Sequence, residues 1–217
     1  MSSARAIDRS EIVAGVLIGG GGKRMGRPKH MLPHPSGVTF VEHVVEVASH
    51  VADEVVLLGV RSDVPPGLAR CRQLADKVPG GGPAAGLCAL LEHAGPERWG
   101  LLLACDLAQL DVRLLRRLVS ADAGEADAVV FIEPASRRPH PCCALYRGSA
   151  AMAAEAALMH HGGRLRAVLD DLRVTWLEVD EQAAEGLVNV NTRADLAVLL
   201  SKAAGGVIER GGPDRSA

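Results

Sequence analysis

Aromatic side chains are nearly missing from this chain: two Phe, two Trp and one Tyr, 2% of its 217 residues. That excludes the ring platforms on which single-stranded nucleic acids are held by stacking, and leaves the core to Leu, Val, Ile and Ala. An excess of one charge is missing too. A formal net charge of −2 and a pI of about 6.4 leave no electrostatic footprint for nucleic acid or an anionic membrane. No apolar run approaches the roughly 20 residues of a spanning helix. The first apolar run is short, lacks a clean basic leader and follows Asp8 and Glu11, unlike a secretory signal. The expectation is a soluble, cytoplasmic protein. The five cysteines (Cys71, Cys88, Cys105, Cys142 and Cys143) contain no C-x-x-C pair. Their odd number points to reduced thiols acting as small buried hydrophobes. His30 and His34 are four apart, but Pro33 and Pro35 forbid the helix that would align them as ligands. His160 and His161 are adjacent and point apart on a helix, so zinc is not expected.

What the chain does have is a glycine loop placed early. An apolar, β-branched run from Ile12 to Ile18 stops at Gly19, Gly20, Gly21 and Gly22, and Lys23, Arg24, Gly26 and Lys29 follow. A buried strand feeding a loop without side chains lets backbone N–H groups close on an anion, since no Cβ holds the ligand away. Two common glycine loops fail on spacing. From Gly19, Gly20 or Gly21 the G-x-G-x-x-G series lands on Arg24, Met25 or Lys23. A P-loop needs Gly five residues before Gly-Lys-Ser/Thr, where Leu17 stands, and Arg24 replaces the hydroxyl residue.

The rest of the chain alternates strand and helix patterns. Phe40, Val44, Val47, Ala48 and Val51 make one apolar helical stripe within 39–51. Strands are expected at 55–60, weakly at 73–74, and at 99–105, which ends on Asp106. Pro83 sits where a helix would start, its missing N–H costing nothing there. Asp111 can cap a helix running to Leu118. Strands follow at 128–132 and 142–146, the latter after a proline-rich connection, and helices at 149–159 and 164–172. Residues 174–179 alternate like an edge strand. Thr192 with Asp195 resembles a capping box opening a helix to about Leu200. The pattern implies an α/β fold with a mainly parallel sheet covered on both faces. Ligands of such sheets sit beyond the carboxyl ends of the strands, where the glycine loop and Asp106 both fall. Residues 1–10 and 202–217 are expected to be disordered tails around a single domain at 11–201.

The ordered set L-x-G-G-x-x-x-R-M-G-x-x-K (Leu17 to Lys29), Asp76 with G-G-G-P-A-A-G (Gly80 to Gly86), L-A-C-D (Leu103 to Asp106) and N-V-N-T (Asn189 to Thr192) resembles the molybdenum cofactor guanylyltransferases. The resemblance runs from about Ile12 to Leu200. It implies a three-layer Rossmann-like nucleotidyltransferase domain that uses magnesium to transfer GMP from GTP to the phosphate of molybdopterin, releasing pyrophosphate. GTP and molybdopterin are then the substrates, and other cofactor-biosynthesis proteins or acceptor apoenzymes the protein partners. The first motif is shared with sugar and cytidylyl relatives. The G-P-A-A-G loop and N-V-N-T narrow the reading.

Carried onto this chain, the resemblance makes Arg24, Lys29 and Asp106 the catalytic residues, with the two cations on the triphosphate and Asp106 on the metal. Leu17, Ile18, Gly19 and Gly20 lie along the nucleoside, Asp76 contacts GTP, and Pro83 and Gly86 shape the base-side wall. Asn189 and Asn191 flank the crevice, where they orient the pterin phosphate or the waters around it, with Pro139-His140-Pro141 a weaker candidate for the pterin-side wall. Simpler roles stay open at this stage. Asp106 could cap the turn after its strand, Asp76 could be an Asx-type loop residue, and the two asparagines could be ordinary turn and cap residues. Gly21-Gly22 stands where relatives often carry a small hydroxyl residue, and Leu107-Ala108 where Thr or Met and then Pro are usual. The strand near Leu58 lacks a frequent polar residue. These departures bear on base choice, so a cytidylyl or sugar nucleotidyltransferase is the alternative, and a non-catalytic nucleotide binder the second.

Overall fold

The computed structural model describes residues 6–19 and 27–205, with side chains to 202. The strand β1 (Ile12–Leu17) is buried on both faces, which is why its sequence is a continuous apolar run rather than an alternation. Its neighbours are β2 (Glu54–Leu58) on one side and β4 (Trp99–Ala104) on the other, both parallel. The two-residue β3 (Gln73–Leu74) extends that end of the sheet, parallel to β2. On the other side lie β5 (Ala128–Glu133), β6 (Arg138–Tyr146) and β7 (Val174–Glu178), giving the order β3-β2-β1-β4-β6-β5-β7. Among the described strands, only β6 runs antiparallel to its neighbours. The expected edge strand at 174–179 is at the edge, parallel to β5.

Helices cover both faces. On one, α1 (Phe40–Ser49) and α3 (Val112–Val119) pack Val41, Val44, Leu114 and Leu118 against Ile12, Val16 and Leu103. On the other, α2 (Gly82–Ala94), α4 (Ala151–His160) and α5 (Leu165–Asp170) bring Leu87, Leu90, Ala154 and Val168 onto Val13, Val56 and Leu102. Successive strand residues thus feed opposite layers, as the twofold period requires. The short α6 (Glu181–Glu185) leads to α7 (Arg193–Gly205). Asp111 caps α3 as expected, and Thr39 caps α1 in a reciprocal box with Glu42 that the sequence reading did not name. Among the described residues, no helix is long and apolar enough to cross a membrane. All five cysteines are free thiols; three are buried and two half-buried.

The structure differs from the sequence reading at four places. Residues 8–10, assigned to a tail, form with Glu11 a 3-10 turn that has its own capping box, and Arg9 donates to Ser49 O at 2.8 Å. At the other end α7 continues through Gly205, past the expected boundary at 202. The proline-rich connection is in fact the first part of β6. Pairing with β4 covers only Cys143 to Tyr146, so the prolines lie where β6 has no β4 partner, and its ladder with β5 is irregular between Val130 and Ile132. A missing N–H is tolerated at such an edge. The helix α6 had no apolar stripe to announce it; none of its residues is buried.

Candidate active site

The carboxyl ends of β1, β2, β3 and β4 open on one side of the sheet, and the antiparallel β6 brings its amino-terminal half there as well. Ile18 N–H donates to Leu58 O at 3.0 Å and Cys105 N–H to Leu17 O at 3.3 Å, so the chain just beyond each strand is still locked to its neighbour. Gly59 has φ +104°, and a Cβ there would meet Gly19 N at 3.3 Å, so β1 and β2 leave the sheet side by side. Asp76 follows β3. A Cβ on Gly19 would lie 3.9 Å from its Oδ2, which places this carboxylate beside the start of the glycine loop. Burial raises the Asp76 pKa above the ordinary carboxylate value, and the group has no partner among the described residues.

The loop before α2 is built on glycine for steric reasons. Gly82 has φ +66°, and Ala84 N–H donates to Gly163 O at 3.2 Å, seating the loop on the turn between α4 and α5. Pro83 lies in the first turn of α2, as expected. A Cβ on Gly86 would come within 2.5 Å of Leu17 Cδ2, so Gly86 allows α2 to lie directly on the end of β1. Leu17, Ile18, Gly19, Asp76 and Gly86 are therefore neighbours around the end of β1, with Pro83 one turn before Gly86. Gly20 and Arg24 lie outside the described residues.

Asp106 sits at the mouth of β4 with its side chain 8% exposed. Lys29 and Asn189, far apart in sequence, bond it directly, and Asn191 joins the two. Lys29 Nζ donates to Asp106 Oδ2 at 2.7 Å and to Asn191 Oδ1 at 2.7 Å. Asn189 Nδ2 donates to Asp106 Oδ1 at 2.9 Å, and Asn191 Nδ2 to Asn189 O at 3.2 Å. Val190 N–H donates to Asp106 O at 3.0 Å, so the loop carrying the asparagines is pinned by the backbone of the residue it surrounds. The side chain of Asp106 does not cap the turn after its strand; it is the hub of a charged network.

Other residues hold this network in place. His30, next to Lys29 and only 2% exposed, lies against Asp63, with Nε2 3.4 Å from Oδ1 and 3.3 Å from its carbonyl. Asp195 accepts from the backbone N–H groups of both Asn191 and Thr192 at 2.8 Å, and these bonds hold its pKa down. The capping box was legible in the sequence; its second bond, which fixes Asn191, was not. The loop after Asp106 is braced by a stacked imidazole pair. His34 and His43 lie 4.0 Å apart and nearly parallel. His34 donates to Ala108 O at 2.8 Å and His43 to Leu110 O at 3.0 Å. Burial lowers both pKa values, and the nearby His34 lowers that of His43 further.

Beside Asn189 and Asn191 a cleft of about 200 Å³ runs along the start of β6, lined by Leu107, Arg138, His140, Cys142 and Leu187. His140 is 8% exposed and donates from Nε2 to Glu133 Oε1 at 3.0 Å. Only its position between two prolines marked it in the sequence, and Glu133 carried no local signal. No cluster of three His, Cys, Asp or Glu side chains that could cage a metal is present among the described residues. Asp106 is a lone carboxylate. It suits an ion that takes one protein oxygen and completes its shell with phosphates and water, as magnesium does.

Comparisons with known proteins agree with this geometry. Residues 14–176 match the model of the MobA-like NTP transferase domain. A Mycobacterium ulcerans protein named as a probable molybdenum cofactor guanylyltransferase is 35% identical over 199 residues, covering 89% of this chain and 96% of its own. The molybdopterin-guanine dinucleotide biosynthesis protein A of Archaeoglobus fulgidus superposes with a TM-score of 0.73 at 24% identity, covering 89% of this chain and 99% of that one. A 2-C-methyl-D-erythritol 4-phosphate cytidylyltransferase from Thermus thermophilus reaches a TM-score of 0.62 at 17% identity, over 91% of this chain and all of its own, so the fold by itself does not choose the base. On the family match and the extent of the sequence identity, this chain belongs to the MobA-like NTP transferases.

Proposed function

We propose that the chain is a magnesium-dependent molybdenum cofactor guanylyltransferase, joining GMP from GTP to the phosphate of molybdopterin and releasing pyrophosphate. The observation that carries the reading is the network in which Lys29 and Asn189 bond the nearly buried Asp106 and Asn191 links the two, beside the cleft along the start of β6. An acceptor phosphate oxygen must bond to the α-phosphorus of GTP while the bond from that phosphorus to the β-phosphate oxygen breaks. The obstacle is an anion approaching a polyanion, so positioning and charge neutralisation do most of the work. In this reading Leu17 to Gly20, Asp76, Pro83 and Gly86 hold the nucleoside, and Arg24 and Lys29 the phosphates. Asn189 and Asn191 then orient the acceptor, whose body follows the cleft along His140. Asp106 would hold magnesium, which would supply positive charge against the phosphates as the pyrophosphate leaves.

The test is pyrophosphate release with molybdopterin and magnesium, GTP against CTP and ATP. Turnover selective for GTP is expected. Faster turnover with CTP would install the cytidylyl alternative, and tight GTP binding without any release would make the chain a nucleotide-binding module.

A further inference from the structure

The groove between the turn at Lys29–Met31 and helix α7 belongs to neither half of the catalytic crevice. It measures about 440 Å³, and Leu32, Pro33, Leu196 and Leu200 form its floor, with Arg27 and Arg193 at its margin. In α7 Leu199, 8% exposed, joins a small core with Leu32 and Phe40, and the half-buried Leu196 packs against it. Residues 193, 196, 197 and 200 lie at helical spacing along the groove. Leu200 is left 38% exposed. Neither arginine has an ion pair or hydrogen bond with any described residue. Arg27 lies two residues before Lys29 and Arg193 two after Asn191, so the charged end of the groove borders the site network.

We infer that this groove docks a partner protein through a segment that carries leucine-like side chains flanked by carboxylates. An apolar floor with cationic margins complements that chemistry, since the floor takes the anchors and the guanidiniums take the carboxylates as forks. Two arginines on a chain of net charge −2 are too few to hold an anionic membrane surface. A second copy meeting this one about a twofold axis would set the arginine margins of the two copies against each other. A segment bound here lies beside the site network and can meet the dinucleotide as it leaves. That last step rests on the proposed reaction; the docking itself does not.

The experiment is fluorescence anisotropy without nucleotide, using a fluorescein-labelled twelve-residue peptide with leucines at helical spacing and glutamates elsewhere. One control replaces every glutamate by lysine, and a second replaces every leucine by serine. The proteins are the full chain, Arg193→Glu and Ala197→Glu. Both substitutions are at exposed positions early in α7, where an acidic residue suits the helix dipole, so folding is retained and melting curves should coincide. Saturable binding of the acidic leucine peptide is expected, weakened about tenfold or more by either substitution and by either control sequence, the scale of about 1.4 kcal/mol. Transfer kinetics on free substrates should be unchanged in Ala197→Glu. The inference is overturned by absence of saturable binding, by binding that survives both substitutions, by equal binding of the lysine peptide, or by co-sedimentation with phosphatidylserine vesicles that the same substitutions abolish.

Discussion

Replacing Asp106 by Asn separates what this carboxylate does for the fold from what it does for the reaction. The amide is nearly isosteric, so no cavity opens. Both partners of the carboxylate are donors, Lys29 Nζ on Oδ2 and Asn189 Nδ2 on Oδ1. The new amide carbonyl can still accept from Lys29, and a flip of the Asn189 amide meets the new NH₂ group with an acceptor. What is lost is the charge of two charge-assisted bonds. Lys29 is 29% exposed and can share its own charge with solvent, which keeps the penalty small. The expected destabilisation is about 1–2 kcal/mol. That corresponds to a melting temperature lower by about 2–8 °C for a domain of this size. Removing the anion that would hold magnesium should cost far more in turnover, at least about 10²-fold. Thermal melts and pyrophosphate release, run on the same preparation across a magnesium titration, give both numbers. A variant that turns over at near-normal rate with the same magnesium dependence would refute the assignment. A loss of activity matched by gross unfolding would show that the hub is structural instead.

Arg24→Ala is expected to lower kcat by about 10²–10³-fold, while Lys29→Ala weakens GTP binding more than Arg24→Ala does; an intact kcat in Arg24→Ala would remove it from the transition state. Gly86→Ala should destabilise by about 1–3 kcal/mol and raise KM for GTP, because the added Cβ meets Leu17 Cδ2 at the end of β1; unchanged melting and KM would mean that Leu17 yields freely. The folded chain holds the imidazoles of His34, His43 and His140 below their ordinary pKa of 6.5, chiefly through burial. The unfolded chain therefore takes up protons first, so this contribution to stability is complete above about pH 6.5 and falls as the pH drops through the folded-state values. Melting curves between pH 8 and 5.5 should show that loss, His43→Gln should reduce it, and a flat profile in the unaltered protein would contradict the argument.

Much of the site was legible because its chemistry is carried by short runs in which each residue has a local reason. Pro83 opens a helix, Gly86 lets that helix touch β1, and Asp106 ends the most continuously apolar strand. That Lys29 meets Asp106 and Asn191 could be expected only through the family resemblance, since the partners lie 77 and 162 positions away. The stacked His34–His43 pair and the bond from Asp195 to Asn191 N–H were not legible, since each depends on how two loops meet. The start of β6 was misread for a definite reason. Two prolines argue against a strand interior, yet they fall where β4 has already stopped pairing, a fact of sheet register and not of sequence.

The reversed direction of β6 has a consequence for how this enzyme can diversify. The groups assigned to the nucleotide all belong to β1, β3, α2 and the loops that follow the strands. The cleft assigned to the acceptor is made from β6 and the loop before α7. The two sets share one strand boundary, where Gly100 through Leu103 pair with Tyr146 through Cys143, and Asp106 lies just past its end. On the proposed assignment, substitutions at the start of β6 would retune which phosphorylated partner is accepted and leave the nucleotide half untouched. A chimera that exchanges residues 133–142 with those of a cytidylyl relative should inherit the acceptor and keep the base.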